Sequence, residues 1–577
     1  MLFPTLMGAS RPANRPRQIL LALGLSLAAA QSADAADCLS IAAPSAGSTY
    51  EIAVDTSTTV RTLQPEFFGF NVEWLEFQWS LWDSANQRVK PGLVDWLKAF
   101  PGAVYRYPGG TEANYFEWRK AIGDVATRQT QSPVTWTAPL VAKFGLVEYL
   151  DFVKSVGGKA WYVLNLYGTQ AGELPSATTA AEAGAVAAYF RQQTFAGKPA
   201  ILRYELGNEL DRNPYLWAPT KYGAVATAAA SAVANSDLSA RMAAISQDYD
   251  AVLQKYGITQ TAYNTYLGQT LKGQTTEFTS HRYYDGSPWA LPVSHEVRQE
   301  CYSIAGLTQG LGSAPVMWIT ENARSPEGTA TDPFPQANWP QTENLSAAIS
   351  ISDMLIALSQ IPAVQGTMTH ALHALGALNA PWPLFHLDSA GNVVPSAVYW
   401  GMRTLRESML GEVLATRVVS ANQSGNPGGY DLRAVALADA QRTQFSVWLI
   451  NRANASVRAR LTLPALAGNT IFSGVTTLAN SDPTINNYGG VTRISPSKTS
   501  LTLVFDANGQ TYLNVPANAV MAVSMVKTIA STTPPPTTPT TPTTTTEPTP
   551  TPTEPATTTP TTPTSPKVRG QGKTKSR

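Results

Sequence analysis

The chain contains few charged residues for its length. Asp, Glu, Lys and Arg make up 14% of the 577 residues, whereas about 25% is usual in soluble domains. The formal net charge is only +1, so no excess of charge indicates nucleic acid or a strongly acidic partner. We therefore expect no nucleic-acid partner. Hydrophobic residues make up 44%, and a chain of this length is long enough for two domains with appendages.

Cysteine is nearly absent, with only Cys38 and Cys301. In an exported chain, two cysteines can form one disulfide. We predict this bond, which would join the start of the mature chain to the main domain. Two separate thiols are the alternative, because a sequence alone fixes no geometry.

No apolar stretch is long enough to span a membrane. The apolar stretch at residues 19–30 follows three arginines and precedes an A-x-A motif, Ala33-Asp34-Ala35. This order is typical of a secretory signal peptide. We predict a signal peptide at residues 1–35, no membrane span, and a secreted or periplasmic protein. A lipoprotein anchored through Cys38 is the less favoured alternative, because Asp37 does not fit the small residue expected at that position.

The C-terminal end has a different composition. Residues 531–566 are almost all Thr and Pro, which predicts a disordered, extended linker that cannot bury a core. Residues 567–577 form a basic tail. A solvated tail is one interpretation, and electrostatic association with an anionic cell-envelope polymer is the other.

Strand and helix patterns alternate through residues 63–404. Eight apolar, strand-like segments occur at residues 67–74, 103–110, 160–168, 201–209, 241–249, 276–284, 315–321 and 364–372. Helical patterns separate most of them, for example at residues 146–156, 180–193, 222–234 and 344–360. Repeated βα units predict an α/β protein with a closed (β/α)8 TIM barrel. An open doubly wound sheet is the alternative, but no Gly-rich phosphate turn follows the first strand.

Short strand patterns follow the barrel region. They are broken by Asn, Gly, Pro and Asp between residues 405 and 530, which predicts a C-terminal antiparallel β-sandwich. The N-terminal segment, residues 36–62, contains another strand pattern at residues 50–56. We expect that strand to join the sandwich.

Three carboxylates lie at predicted strand ends, namely Glu73, Glu209 and Glu321. In a (β/α)8 barrel the chemistry collects at the C-terminal ends of the strands. Other polar residues predicted for the same rim are Arg106, Asn165, Asn208, His281 and Tyr283. Glu205 precedes Glu209 on the same strand and should lie deeper, either inside the barrel or between strand and helices.

The rim shows no sign of a bound metal or cofactor. The histidines lack zinc-ligand spacing, His370 and His373 are interpreted as core or rim residues, and no nucleophile elbow or Walker loop occurs. We expect no metal and no cofactor.

Two carboxylates on one rim meet the requirement for glycoside hydrolysis, in which one attacks or stabilises the anomeric carbon and the other donates a proton.

Four motifs resemble those of clan A glycoside hydrolases. The segment RYELGNELDRNPYLW resembles the strand-four motif of the clan, and RYPGGTEANYFEWRKAIGD resembles the strand-two region of family 51 α-L-arabinofuranosidases. SHRYYDG is similar to the strand-six region of families 51 and 79, the latter including heparanase-like glucuronidases, and MWITENA to the strand-seven region. The resemblance covers roughly residues 50–528.

The resemblance implies roles for individual residues and a carbohydrate substrate. Glu209 would be the general acid/base and Glu321 the nucleophile of a retaining enzyme. Asn208 would hold the sugar hydroxyl next to the anomeric carbon, and Tyr283 would hydrogen-bond the nucleophile. His281, Arg106, Glu73 and Asn165 would line the sugar site or support it.

Two positions depart from the family 51 pattern, and both bear on sugar specificity. Thr111 stands where that family usually has Asn, and Asn-Ala-Arg-Ser follows Glu321 in place of Trp-Asn. A uronic acid substrate would need a cation, for which Arg282 and Arg324 are candidates.

The alternative function is a non-catalytic carbohydrate-binding or envelope-scaffold protein built on the same barrel. Trp74, Trp79, Trp82 and Trp217 could be sugar platforms or core residues.

Overall fold

The computed structural model describes residues 38–134, 138–247, 249–286, 290–326, 339–372, 374–375 and 381–527. The predicted signal peptide, the Thr/Pro-rich linker, the basic tail and His373 lie outside these residues. Within the described part of the chain, no helix is both long and apolar enough to cross a membrane.

Eight parallel strands close into a barrel, in the order in which they occur along the chain. They are β2 (Gly69–Asn71), β3 (Val104–Tyr107), β4 (Lys159–Val163), β5 (Ile201–Leu206), β6 (Met242–Ile245), β7 (Glu277–Tyr284), β8 (Val316–Arg324) and β9 (Val364–Thr369). The predicted (β/α)8 fold is confirmed. The first strand is shorter than predicted, because Pro65–Phe67 forms a 3-10 turn and a helix begins at Trp74.

Helices connect the barrel strands and cover them. They are α1 (Trp74–Ser80), α2 (Pro91–Leu97), α3 (Leu146–Ser155), α4 (Ser176–Phe195), α5 (Pro219–Ser236), α6 (Asp250–Tyr256), α7 (Gln260–Leu271), α8 (Val293–Leu311), α9 (Leu345–Ser359) and α10 (Ala397–Glu407). Helix α9 is buried almost all round. It packs against barrel strands on one side and against the C-terminal sheet on the other, as expected for a helix whose only charged residue is Asp353.

The second domain is a mostly antiparallel β-sheet, and the predicted C-terminal β-domain is confirmed. Its strands are β1 (Glu51–Thr62), β10 (Glu412–Ser420), β11 (Leu432–Ala438), β12 (Gln444–Asn451), β13 (Val457–Thr462), β14 (Thr470–Ala479), β15 (Ser497–Val504), β16 (Gln510–Val515) and β17 (Ala519–Val526). Side chains from all nine strands share one hydrophobic core, so the sheet folds over on itself as a sandwich.

The N-terminal strand β1 completes this sandwich. It pairs with β10 on one side and with β13 on the other. The chain therefore starts in the sandwich, passes through the barrel and returns.

Short elements lie in the connections. Two-residue strands pair as Trp82–Asp83 with Arg88–Val89, Thr130–Gln131 with Leu140–Val141, and Gly168–Thr169 with Gly172–Glu173. Ala374–Leu375, Phe385–Leu387 and Val393–Pro395 form a three-stranded ribbon, and Ser45–Ala46 joins β10. Further 3-10 turns are Thr111–Asn114, Trp118–Ala121, Val125–Thr127, Trp339–Thr342, Pro464–Leu466 and Tyr488–Gly490.

Charged pairs and a disulfide join the two domains and the N-terminal segment. Asp353 on α9 accepts hydrogen bonds from Arg433 and from the Tyr430 hydroxyl, which belong to the sandwich. Cys38 is bonded to Cys301 on α8, so the structure contains the predicted disulfide. These contacts hold residues on both sides of the barrel–sandwich boundary together.

Candidate active site

Glu209 lies at a sharp reversal of the chain after β5. Gly207 has φ 89° and Glu209 has φ 47°, a backbone region that glycine favours and that other residues adopt rarely and at some cost. This reversal ends the strand at the C-terminal mouth of the barrel. Glu321 lies within β8, which continues three residues beyond it to Arg324.

The two carboxylates meet at His281 on β7. Nδ1 of His281 lies 2.7 Å from Glu209 Oε1 and 3.4 Å from Glu321 Oε2. One oxygen of each carboxylate and a ring nitrogen of His281 all lie within 4.8 Å of one another. Nε2 of His281 lies 3.1 Å from Thr320 Oγ1. The structure thus brings together residues that are 112 positions apart in the chain.

Glu321 is held in its ionised form. Tyr283 donates its hydroxyl proton to Glu321 Oε2 at 2.6 Å, and Arg106 Nη1 donates to Oε1 at 2.8 Å. Burial alone would raise the pKa of Glu321, but the charges of His281 and Arg106 and the Tyr283 hydrogen bond hold it well below its ordinary value.

Arg106 on β3 is fully buried and links several residues of the site. Its Nε and Nη2 atoms donate to both carboxylate oxygens of Glu205 at 2.7 and 3.1 Å. Nη1 also donates to Asn71 Oδ1 at 2.9 Å, and Nη2 to Asn208 Oδ1 at 2.6 Å. Of the two positions left open for Glu205, the structure shows the interior of the barrel.

Glu209 has a different electrostatic environment from the one expected of a resting general acid. Burial raises its pKa, but Arg212, at 3.1 Å, and His281 together lower it below its ordinary value. The pKa of His281 is raised, since Glu321 and Glu209 outweigh the effect of burial. The role of general acid predicts a raised pKa for Glu209. This prediction is wrong for the free protein, in which the proton between the two residues lies on His281.

Glu73 lies beside the glycine pair that follows β3. A Cβ atom at Gly109 would come within 2.6 Å of the Glu73 side chain. Burial, followed by the charges of Glu112 and Glu321, raises the pKa of Glu73 to about 8. Glu73 is therefore protonated at neutral pH and can donate a hydrogen bond as well as accept one.

The raised pKa of Glu73 predicts a pH dependence of stability. The folded protein binds this proton more tightly than the unfolded chain, so its contribution is fully present below about pH 4.5 and is lost as the pH rises through about 8. Glu73→Gln resembles the protonated form at every pH. As the pH rises from about 4.5 through about 8, this variant should therefore lose less stability than the wild type. Thermal unfolding from pH 4.5 to 9 measures the difference, and parallel curves for the two proteins would contradict the prediction.

The two predicted asparagines have different surroundings. Asn208 is buried and exchanges hydrogen bonds with Asn114, and its Nδ2 has no hydrogen-bond partner among the described residues. Asn165 accepts from the backbone N–H groups of Tyr167 and Gly168 at 3.0 and 2.9 Å. Asn165 thus shapes the loop after β4.

The sequence predicted no role in the site for two residues that lie near it. The ring of His370 lies 4.9 Å from that of Trp382 and 6.4 Å from that of Tyr283. His370 directly follows β9, so the strand-end rule that selected Glu209 could also have selected it. Trp382 lies in a loop whose sequence has no strand-end pattern that could have indicated it. Trp74, Trp82 and Trp217 are buried in the core, which agrees with the core interpretation of these residues.

The same three side chains that define the site could in principle bind a metal. Glu209, His281 and Glu321 supply ligand atoms of a kind that divalent cations accept. However, Arg106 lies beside Glu321 and Arg212 beside Glu209, and these positive charges oppose the binding of a further cation. The absence of a metal from the working site stays a prediction.

Comparisons with known proteins agree with this geometry. Residues 96–210 match the family described as Alpha-L-arabinofuranosidase 1 domain, a segment that includes Arg106, Asn208 and Glu209. The chain resembles family 51 of the clan A glycoside hydrolases. An intracellular exo-alpha-(1->5)-L-arabinofuranosidase from Streptomyces lividans is 25% identical over 119 residues, which span 19% of this chain and 18% of that protein.

Several solved structures are similar in fold to most of this chain. An α-L-arabinofuranosidase from Thermotoga maritima, solved as an arabinose complex, has a TM-score of 0.67 at 14% identity and covers 82% of this chain and 99% of its own. A family 51 α-L-arabinofuranosidase from Bifidobacterium longum has a TM-score of 0.67 at 15% identity, with the same coverage of both chains. The family 51 enzyme from Xanthomonas axonopodis pv. citri gives 0.66 at 15% identity, with 82% and 100% covered.

Proposed function

We propose that the protein is a secreted retaining glycoside hydrolase that removes arabinofuranosyl-type sugars by double displacement. The spacing of the two carboxylates carries the proposal. Oxygens of Glu209 and Glu321 lie within 4.8 Å of each other. Retaining glycosidases have carboxyl groups about 5–5.5 Å apart, whereas inverting enzymes need about 6.5–9.5 Å to admit a water molecule.

Glu321 acts as the nucleophile in the first step. Its carboxylate attacks the anomeric carbon, the bond to the leaving oxygen breaks, and a glycosyl-enzyme ester forms. Tyr283 and Arg106 each hold one oxygen of Glu321, so the attacking group is ionised and aimed before the substrate arrives. The free Nδ2 of Asn208 is available to donate to the sugar hydroxyl next to the anomeric carbon.

Glu209 acts as the acid and then as the base, with His281 as its proton partner. The proton on His281 Nδ1 moves along the 2.7 Å hydrogen bond to Glu209, and Glu209 passes it to the leaving oxygen. Once Glu321 is esterified, one of the two negative charges that raise the pKa of His281 is gone. Glu209, now ionised, takes a proton from the water that releases the sugar.

The charges around the site favour a neutral sugar over a uronic acid. Arg282 is paired with Glu300 at 2.7 Å, and Arg324 donates to Ser350 on α9, so both cations considered for a uronate are engaged outside the barrel mouth. Glu73 lies close enough to Glu321 for their charges to interact, so a deprotonated Glu73 would repel a substrate carboxylate there. An arabinofuranosyl group meets neither obstacle.

Product stereochemistry tests the proposal. Aryl α-L-arabinofuranoside, xyloside, glucuronide and galactoside substrates are compared first, and the arabinofuranoside should react fastest. Proton NMR of the first-formed product should then show retention of the anomeric configuration. Inversion would exclude Glu321 as nucleophile. Binding without sugar release from any substrate would favour a non-catalytic carbohydrate-binding scaffold.

We also propose export through residues 1–35. The Cys38–Cys301 disulfide supports this, because such bonds persist in oxidising compartments. Attachment to an anionic envelope polymer through the basic tail is proposed on charge alone. Fractionation of cells that express the full chain, with and without residues 567–577, tests both statements.

Glu205 is a positioning residue in this mechanism. Removing its charge with Glu205→Gln leaves Arg106 without its two-oxygen partner, so the Arg106 contacts to Glu321 and Asn208 shift. We expect kcat to fall about 10- to 100-fold, as misplacements of about 1 Å do, together with a loss of stability of about 3–5 kcal/mol.

Glu277→Gln is the matched control for Glu205→Gln. Glu277 is also buried inside the barrel and pairs with Arg203 and Arg241, but it does not contact Arg106. We expect this variant to lose comparable stability and to keep its kcat. Equal loss of kcat in both variants would show that Glu205 acts only through stability. Urea unfolding and turnover are measured on the same preparations.

A further inference from the structure

Three tyrosines form a cluster on the rim of the barrel. Tyr115, Tyr167 and Tyr215 come from the loops that follow β3, β4 and β5. The ring of Tyr167 lies 5.3 Å from that of Tyr115 and 4.8 Å from that of Tyr215. Each of the three is partly exposed. The cluster therefore presents aromatic surface to solvent at the end of the barrel that holds the catalytic residues.

Hydrogen bonds connect this tyrosine cluster to the acid/base. The hydroxyl of Tyr215 donates to that of Tyr115 at 2.9 Å and also hydrogen-bonds the side chain of Asn114. Asn114 in turn donates to the Asn208 carbonyl at 2.7 Å, next to Glu209. The cluster is therefore fixed relative to the residue that protonates the leaving oxygen.

Asn165 fixes the third tyrosine. Its side chain accepts from the backbone of Tyr167 and donates to the Gly168 carbonyl at 2.7 Å. The rings of Tyr115 and Tyr215 are themselves 6.4 Å apart, so the ring of Tyr167 packs against both, and its hydroxyl makes no hydrogen bond to the described residues. Tyr167 thus offers its ring to a ligand, while Asn165 holds its backbone.

The position of the cluster indicates which part of a substrate it meets. Glu321 and Tyr283 come from β8 and β7, and Glu73 and His370 follow β2 and β9, so the residues around the sugar lie on that side of the mouth. The loop after β5 carries both Glu209 and Tyr215. Because Glu209 delivers its proton to the leaving oxygen, the leaving group departs on the side where the tyrosines lie.

We propose that Tyr115, Tyr167 and Tyr215 form a leaving-group subsite that stacks on a pyranose ring of a neutral saccharide. This inference rests on the proposed function. Aromatic side chains supply a large apolar face at low cost in conformational entropy, and the axial C–H groups of a pyranose form a matching apolar face. Glu112, whose charge is felt by Tyr115, disfavours an acidic saccharide at the same place.

Two substrates with the same sugar and different leaving groups test the subsite. α-L-Arabinofuranosyl fluoride has no leaving-group ring, whereas an arabinofuranosyl-substituted xylo-oligosaccharide has several. In Tyr167→Ala the ratio of kcat/KM on the oligosaccharide to kcat/KM on the fluoride should fall about tenfold, the size of one aromatic contact. Tyr167→Phe, which retains the ring, should keep the wild-type ratio.

Tyr302→Ala is the control, because Tyr302 is 42% exposed on helix α8, away from the mouth. It should keep the wild-type ratio. An equal fall on both substrates in Tyr167→Ala would show that the ring only supports the loop and would overturn the subsite, as would an unchanged ratio. Wild-type protein that hydrolyses the fluoride but not the oligosaccharide would also overturn it, with the proposed function intact.

Binding separates the subsite from the proposed function. If the wild type releases no sugar from either substrate, the proposed function fails. Calorimetric titration with unsubstituted xylo-oligosaccharide then decides on the subsite. Binding that weakens about tenfold in Tyr167→Ala and not in Tyr302→Ala would support it, and any other result would overturn it.

Discussion

Replacing Glu321 with glycine is expected to reduce kcat by about 10⁴-fold or more, because the covalent step then has no nucleophile. The substitution leaves a space beside Gly110, where a Cβ would lie 2.7 Å from the present Glu321 oxygen. A small anion can enter this space. Sodium azide should therefore restore turnover of an aryl arabinofuranoside and give a glycosyl azide of inverted configuration.

The azide product distinguishes a lost nucleophile from a damaged fold. Wild-type protein in azide should form no glycosyl azide of inverted configuration, and Glu277→Gln should remain active without azide. A Glu321→Gly variant that keeps more than a tenth of the wild-type kcat, or that azide does not rescue, would contradict the role given to Glu321.

Glu209→Ala is expected to affect substrates according to their leaving groups. General acid catalysis contributes about 10²–10⁴-fold, and this contribution is needed only where the leaving oxygen is a poor one. Hydrolysis of oligosaccharides should fall by that factor, whereas bond cleavage in a dinitrophenyl glycoside should be nearly unaffected. Steady-state and burst kinetics on the two substrates measure the difference, and equal losses on both would assign Glu209 another role.

The pH profile provides a second check on Glu209. In the wild type, activity on oligosaccharides should fall at alkaline pH, when the proton held by His281 and Glu209 is lost. The raised pKa of His281 places this loss above its ordinary value of 6.5. Glu209→Ala should lack this alkaline limb, because no proton can then be passed to the leaving oxygen.

The barrel was predictable because each strand is an apolar run followed by a polar turn. Even the least regular segment, at residues 241–249, contains a strand, Met242–Ile245. The sandwich strands Glu412–Ser420 and Thr470–Ala479 are harder to recognise from the sequence. The strand Thr470–Ala479 is rich in Thr, Ser and Gly. Its formation therefore depends more on pairing with neighbouring strands than on the preferences of its own residues.

The positions of Glu209 and Glu321 followed from the strand-end rule and the family resemblance, but the charge state of Glu209 did not. The pKa of Glu209 is lowered by Arg212 and by His281, which is 72 positions away in the chain. A sequence does not give such distances. The Arg106–Glu205 pair was also not predicted, since a buried carboxylate can be assigned only when its cation is seen beside it.

The entry of strand β1 into the sandwich has a consequence for synthesis. Residues 51–62 leave the ribosome early, but the antiparallel partner of this strand begins only at Glu412 and its parallel partner only at Val457. At the usual rate of translation the strand waits on the order of tens of seconds with both edges unpaired. The barrel can form during this time, and the sandwich cannot. Nascent chains stopped before Glu412 should therefore depend on chaperones that bind exposed strands, and a gene cut between the two domains should yield a C-terminal half with a gap in its sheet.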